Sequence, residues 1–172
     1  VDDTPAYVAE KKNQSDCEES DKKRTHSQIL IELASGAEFF HSPDGEVYAT
    51  FKKIDHKETW RIRSKGFRRW LVGLFYKETG KAPGAKALTD AFGVLEAKAQ
   101  FDGDEQQVYI RVGGSNGNIY IDLTNDQWEA IEISPEGWKV INHSPIKFIR
   151  SRGMTALPTP ESGESLDLLR RF

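Results

Sequence analysis

A cluster of cations with interleaved aromatic rings occupies the segment TWRIRSKGFRRWL (residues 59–71). Its basic residues fall within nine positions of one another: Arg61, Arg63, Lys65, Arg68 and Arg69. Guanidinium and ammonium groups at this density are typical of phosphate contacts, and the backbone N–H groups at the start of a following helix would add further donors. We therefore expect these five side chains to contact the backbone phosphates of single- or double-stranded DNA without reading its sequence.

Charge is distributed unevenly along the chain, although the formal net charge is only −3. Residues 51–86, the basic third, carry eleven bases and three acids, whereas residues 87–137, the acidic third, carry two bases and ten acids. The basic third is therefore either a docking face for a polyanion or a surface that the acidic third neutralises when the chain folds.

Patterns for catalysis or cofactor binding are weak. The segment GKAPGAKALT (residues 80–89) has alanine where a phosphate-binding loop needs its second glycine and its Ser/Thr. The four histidines are scattered without an i, i+4 pair, and no serine has a credible His/Asp partner. We therefore predict no catalytic residue, no metal ligand and no cofactor in this chain.

Carboxylates could still meet in space. Asp122 alternates with Ile119 and Ile121, which predicts that its side chain is exposed on a strand. A cluster of Asp122 with Glu96 and Asp90 would be required for a metal-dependent nuclease or primase fragment, which is the least favoured alternative.

The sequence patterns around the cations predict the helices and strands that must position them, and together these elements predict an α+β fold. An N-terminal helix begins near Thr25 and is followed by a three-stranded antiparallel meander. A two-helix hairpin over residues 65–79 and 85–99 comes next, and a C-terminal antiparallel β meander follows it. In the first hairpin helix an apolar stripe lies opposite the cations: Phe67, Trp70, Leu71, Leu74 and Phe75. The aromatic residues of the cluster, Trp60, Phe67 and Trp70, are therefore expected in the core.

Composition suggests three parts. Residues 1–24 are charged and polar and predict a disordered linker, residues 25–153 form the α+β accessory domain, and residues 154–172 form a second linker. No run approaches the ~20 apolar residues of a membrane span, and no secretory signal is visible. One cysteine, Cys17, cannot form an internal disulfide, so a cytoplasmic location is expected.

Several segments, in order, resemble the region just ahead of the ATPase in a family of phage-, plasmid- and mobile-element-associated ATP-binding proteins, the primase–helicases. They include GEVYATF, KETWRIRSKGFRRWL and GNIYIDLTNDQWEAIEISPEGWKVI, and the match covers about residues 26–172. The resemblance implies a role in DNA replication and a P-loop ATPase domain further along the parent chain. It carries over no catalytic or nucleotide-binding residue, because none of the segments is a catalytic motif.

Together these observations predict a non-catalytic domain that engages or positions DNA for a phage-type primase–helicase ATPase. The main alternative is an assembly module, in which the basic and acidic thirds of neighbouring subunits dock to form a homo-oligomer.

Overall fold

A computed structural model describes residues 24–161 and residue 163. The predicted linker over residues 1–24 therefore lies outside the described residues except for Arg24, as does most of the chain after residue 161. Helix α1 (His26–Leu33) begins as expected, because the Thr25 hydroxyl accepts from the backbone of Gln28 while the Gln28 side chain accepts from the backbone of Thr25. A 3₁₀ turn then leads into the first sheet.

Three strands form the antiparallel meander: β1 (Glu38–His41), β2 (Val47–Lys52) and β3 (Lys57–Arg61). The turn between the first two strands contains the sequence Pro-Asp-Gly, and Gly45 adopts φ +79°, a conformation that a side chain would disfavour. The polar turn between β2 and β3 projects beside the next helix and becomes part of the candidate site below.

The predicted hairpin helices follow. Helix α2 (Lys65–Thr79) begins at Ser64, whose hydroxyl accepts from the backbone N–H of Phe67, and ends at the left-handed Gly80. Helix α3 (Ala85–Ala97) is shorter than predicted, because the chain widens into a π-helical turn from residue 98 to residue 102.

The main core lies between these helices and the meander. The apolar stripe of α2 is confirmed, since Phe67, Leu71 and Phe75 are fully buried while Trp70 and Leu74 are half-buried. Helix α1, strands β1 and β2 and helix α3 each contribute at least one buried residue to this core: Leu30, Phe39, Ala49, Phe51, Leu88 and Leu95. Trp60 of β3 is half-buried and packs against it. Because α2 buries one side here, its other side must face solvent.

Six strands follow α3 within the described residues. They are β4 (Val108–Tyr109), β5 (Val112–Ser115), β6 (Asn118–Asp122), β7 (Ala130–Ser134), β8 (Gly137–Ile141) and β9 (Lys147–Phe148). Strands β5 to β8 form the predicted antiparallel meander in sequence order, whereas β4 and β9 form a separate parallel pair. Strands β4 and β5, which are close in sequence, therefore belong to different sheets.

A second, smaller core lies on one face of the four-stranded sheet. Tyr120, Ala130 and Phe148 are buried there, and Tyr109 and Ile146 pack against them. The mixed α+β fold expected from the sequence is thus confirmed. The five predicted cations and the strands of the acidic third lie on different elements.

Gly66, on the first turn of α2, offers a test of the packing between α2 and the meander. A Cβ at this position would overlap the Trp60 ring, so we expect Gly66→Ala to lower the free energy of unfolding by about 1–3 kcal/mol. Gly73, on the same helix, has open space around it, and Gly73→Ala should raise stability by up to ~1 kcal/mol through helix propensity. Urea unfolding curves measure both changes, and a Gly66→Ala protein as stable as the original would contradict this account.

Candidate nucleic-acid interface

Helix α2 presents three of the five predicted cations to solvent, and we call Lys65, Arg68 and Arg69 the α2 basic face. All three residues are exposed. None of the ion pairs found among the described residues, with a limit of 4.0 Å between nitrogen and oxygen, includes one of them. Their charges therefore remain available to an external anion.

Arg61 lies at the end of β3 and contacts polar side chains of β2 and of the turn before β2. Its Nε donates to the Tyr48 hydroxyl at 3.3 Å and lies 3.7 Å from a Glu46 carboxylate oxygen. The hydrogen bond to Tyr48, reinforced by the negative charges of Glu46 and Asp44, raises the pKa of the Arg61 guanidinium. Arg61 is thus partly neutralised within the fold.

Arg63 is paired more completely, with the Glu96 carboxylate of α3. The two groups form a bidentate contact in which Nε and Nη2 of Arg63 donate to separate oxygens, the second at 2.7 Å. The hydrogen bond to Glu96 and its charge raise the pKa of Arg63. Both arginines line a cavity of about 410 Å³ beside Ser64, where Glu46 and Glu96 balance their charge.

Ion pairing therefore divides the predicted cluster into two groups. Among the described residues, the Arg63–Glu96 contact is the one ion pair that joins the basic third to the acidic third. The other carboxylates of the acidic third that form ion pairs, Asp122 and Glu132, bind Arg150 and Lys139. Among the described residues, the acidic third therefore forms no ion pair with the α2 basic face.

The basic surface continues into a groove that we did not predict from the sequence. This hairpin groove, about 600 Å³ in volume, runs between α2 and the β2–β3 turn. Four cations line it: Lys52, Lys53, Arg69 and Lys77. Apolar side chains of Ile54, Trp70 and Leu74 line the same groove, and Trp70 stacks on Phe51 with ring centroids 4.0 Å apart.

A sequence signal for this groove was present. Arg69, Gly73 and Lys77 recur at i, i+4 and i+8, so they lie on one side of α2, and Gly73 leaves a gap between the two cations. The partner wall comes from the β2–β3 turn, whose packing against α2 depends on tertiary structure. Spacing along the chain could not place Lys52 and Lys53 there.

Glu58 holds the β2–β3 turn in place. Its carboxylate is 4% exposed and accepts from Lys53 at 2.7 Å, from His56 at 3.0 Å and from the Trp60 indole N–H at 2.7 Å. Burial alone would raise the pKa of Glu58, but the hydrogen bonds from Lys53, His56 and Trp60 outweigh it and lower the pKa below its ordinary value. Of the groove cations, Lys53 therefore has an internal partner.

The expectation that Asp122 is an exposed strand carboxylate is wrong. Asp122 is 1% exposed, and Arg150 binds it in a bidentate pair with distances of 2.7 and 3.0 Å. Asp122 shares a face of β6 with the buried Tyr120, whereas Ile119 on the other face is 48% exposed. Arg150 makes this inversion possible, because it satisfies the buried carboxylate from a distant part of the chain.

Arg150 also organises the loop between β6 and β7. Its guanidinium lies 3.9 Å from the ring centroid of Trp128 and donates to the backbone oxygen of Asn125 at 2.5 Å. Trp128 adopts φ +57°, which is unusual for a bulky residue. Its ring also packs near His56 and Trp60 of the first sheet, with centroids 6.4 and 6.2 Å apart, so this loop connects the two sheets.

No group of three or more metal-ligating side chains is found within the described ranges. Asp122 forms an ion pair with Arg150, and Glu96 forms one with Arg63. The three-carboxylate cluster that the nuclease alternative requires is therefore not assembled among Asp90, Glu96 and Asp122.

The lowered pKa of Glu58 predicts an acid-dependent loss of stability. Because its folded pKa lies below the unfolded value near ~4.3, the ionised group stabilises the fold above that value and this contribution is lost as the pH falls through the folded pKa. Glu58→Gln should lower the free energy of unfolding at pH 7 by about 1–3 kcal/mol and flatten its fall between about pH 5 and pH 3. Unfolding curves across this range measure both effects. Glu78→Gln, at an exposed residue without side-chain hydrogen bonds among the described residues, is the control and should keep the original slope.

The Asp122–Arg150 pair predicts a large loss on truncation. Arg150→Ala leaves the buried carboxylate unpaired, so the free energy of unfolding should fall by about 3–5 kcal/mol. Lys139→Ala removes a pair whose lysine side chain is 70% exposed, and Glu132 keeps its hydrogen bonds from Asn118 and Tyr120, so this change should alter stability little. Thermal and urea unfolding of both variants decide the matter, and similar losses would contradict the central role given to Arg150.

Comparison of the chain with known proteins found no relative. No family model, no curated protein and no solved structure matches the chain. Among the described residues, no helix has the length and apolar character needed to cross a membrane. The function must therefore be argued from the residues and surfaces described above.

Proposed function

We propose that this chain is a non-catalytic, cytoplasmic DNA-engaging domain of a phage-type primase–helicase ATPase, and that it binds backbone phosphates through the α2 basic face. The observation that carries the proposal is the open state of Lys65, Arg68 and Arg69, which have no carboxylate partner among the described residues. The sequence resemblance supports the placement in a replication ATPase, where a P-loop domain would follow in the parent chain.

The spacing of the cations suits a run of phosphates. Arg69 and Lys77 lie along one side of α2, eight residues and therefore ~12 Å apart along the helix. A DNA strand places one phosphate every ~3.4 Å along the axis of a duplex, so this side of α2 would lie beside about three or four phosphates of one strand. Lys52, across the hairpin groove, would extend the contact beyond the helix.

Arg61 and Arg63 have a secondary role in this proposal. Both already bind carboxylates, so a phosphate would have to compete with Glu46 and Glu96. We expect them to contribute less affinity than Arg68 or Arg69, because replacing an existing partner releases less free energy than pairing an open charge.

The assembly alternative stays a prediction with a different signature. Docking of basic on acidic thirds would give oligomers that dissociate as salt rises and that form without DNA. Phosphate binding also weakens with salt, but it requires the nucleic acid and leaves the size of the free chain unchanged.

The proposal is tested by reversing two charges on α2. Arg68→Glu/Arg69→Glu should weaken binding of fluorescein-labelled 20-nucleotide DNA by roughly tenfold or more at low salt and reduce the slope of log K against log salt by about two units. Fluorescence anisotropy with single-stranded and duplex probes of two unrelated sequences measures affinity, strand preference and sequence dependence. Circular dichroism checks that the variant remains folded.

Lys86→Glu/Arg152→Glu is the matched control, because it changes the net charge equally at two exposed residues that form no ion pair with a described residue. This control should bind nearly as well as the original chain. Equal binding by a folded Arg68→Glu/Arg69→Glu protein, or equal weakening in the control, would refute the assignment to the α2 basic face.

A further inference from the structure

The hairpin groove differs from the α2 basic face in combining cations with apolar surface. Lys52 and Lys53 line it from the end of β2 and the turn that follows, and Arg69 and Lys77 line it from α2. Within the part of the chain that the structure describes, Lys53 pairs with Glu58, whereas the other three groove cations form no ion pair. Three open charges therefore lie beside the apolar part of the groove.

The apolar part of the groove is accessible to a ligand. Ile54 is 91% exposed, so its apolar side chain contributes almost no burial to the fold. Trp70 and Leu74 are half-buried, which leaves part of each side chain accessible. Gly73 lies on the same helix, and a Cβ there would meet no atom within 4 Å. Glycine inside a helix is less favourable than alanine, and here the missing side chain keeps the groove open.

The lining of the groove restricts the chemistry of its occupant. Four cations line it against one carboxylate, that of Asp55, so the groove favours an anion. Its volume of about 600 Å³ lies within the ~300–1,000 Å³ of sites for small organic groups. Duplex DNA supplies phosphates but keeps its bases paired and stacked inside. An unpaired nucleotide supplies both a phosphate and the flat face of a base.

We propose that the hairpin groove binds an unpaired base of single-stranded DNA, a contact that duplex DNA does not make. The base would lie against Ile54, Trp70 and Leu74, with its flanking phosphates near the three open groove cations. This inference rests on the proposed function, because Arg69 belongs to both the α2 basic face and the groove. A strand held on the α2 basic face would therefore continue into the groove.

An acidic peptide with apolar side chains is the competing occupant. The cationic surface extends beyond the groove to Lys65 and Arg68, the other members of the α2 basic face. A polymer with one negative charge on every unit matches such an extended surface. The continuity of the two surfaces therefore favours a nucleic-acid strand over a short peptide.

Three fluorescein-labelled probes separate base binding from phosphate binding. They are a 20-nucleotide oligothymidine, a 20-nucleotide abasic strand with the same phosphates but no bases, and a 20-base-pair duplex. Fluorescence anisotropy at one salt concentration measures the affinity for each probe. Oligothymidine should bind roughly tenfold more tightly than the abasic strand, because contact between a base and an aromatic or apolar surface adds affinity.

Gly73→Leu fills the groove without changing any charge. The variant should remain folded, since the position has open space and leucine favours a helix more than glycine does. Its affinity for oligothymidine should fall about tenfold, to that for the abasic strand, while its binding of the abasic strand and the duplex should change little. Gly93→Leu on α3 is the matched control, since it makes the same change at an exposed helical glycine with open space, and it should bind all three probes normally.

A second variant removes apolar surface without filling the groove. Ile54→Ser, at the 91% exposed residue, should weaken oligothymidine binding severalfold with no effect on the duplex. Phe101→Ser, at a residue that is 82% exposed and does not line the groove, is its control. Circular dichroism confirms that each variant is folded.

The outcomes distinguish this inference from the proposed function. Equal affinity of the original chain for oligothymidine and the abasic strand would overturn the inference, as would a folded Gly73→Leu protein that still prefers oligothymidine. Phosphate binding by α2 would stand in both cases if Arg68→Glu/Arg69→Glu weakens the binding of all three probes. Failure of the original chain to bind any probe would overturn both proposals.

A labelled 20-residue peptide of glutamate with interspersed leucine tests the competing occupant. Weaker binding of this peptide than of oligothymidine supports the inference. Tighter binding that Gly73→Leu abolishes would assign the groove to an acidic peptide and overturn it.

Discussion

The buried ion pair between Asp122 and Arg150 determines how the C-terminal half of the molecule is arranged. A carboxylate enters the interior only if a cation accompanies it, and Arg150 does so with two hydrogen bonds while stacking on Trp128. Once Asp122 faces inward, the pleat of β6 turns Ile119 outward. One guanidinium thus fixes the orientation of the sheet, the strained loop before β7 and the contact between that loop and the first sheet.

Selective ion pairing is also what shapes the basic surface. Glu46, Glu58 and Glu96 bind Arg61, Lys53 and Arg63, which leaves the charge of α2 free where the helix is most exposed. The acidic third could have neutralised this surface by contact, yet among the described residues Glu96 is its one carboxylate that pairs with a cation of the basic third. Lys65, Arg68 and Arg69 thus keep their charge free of ion pairs among the described residues, and the proposed contact with a polyanion depends on this.

Local patterns predicted most of the fold. The capping residues Thr25 and Ser64 specify the starts of α1 and α2, and the stripe from Phe67 to Phe75 specifies the buried side of α2, without reference to the rest of the chain. The prediction of which face of β6 is buried was wrong. Alternation shows that the strand has two faces, but it cannot show that a distant arginine will pair with a carboxylate on one of them and allow that face to be buried. The hairpin groove was missed for a similar reason, since its two walls are brought together by tertiary packing, such as the stacking of Trp70 on Phe51.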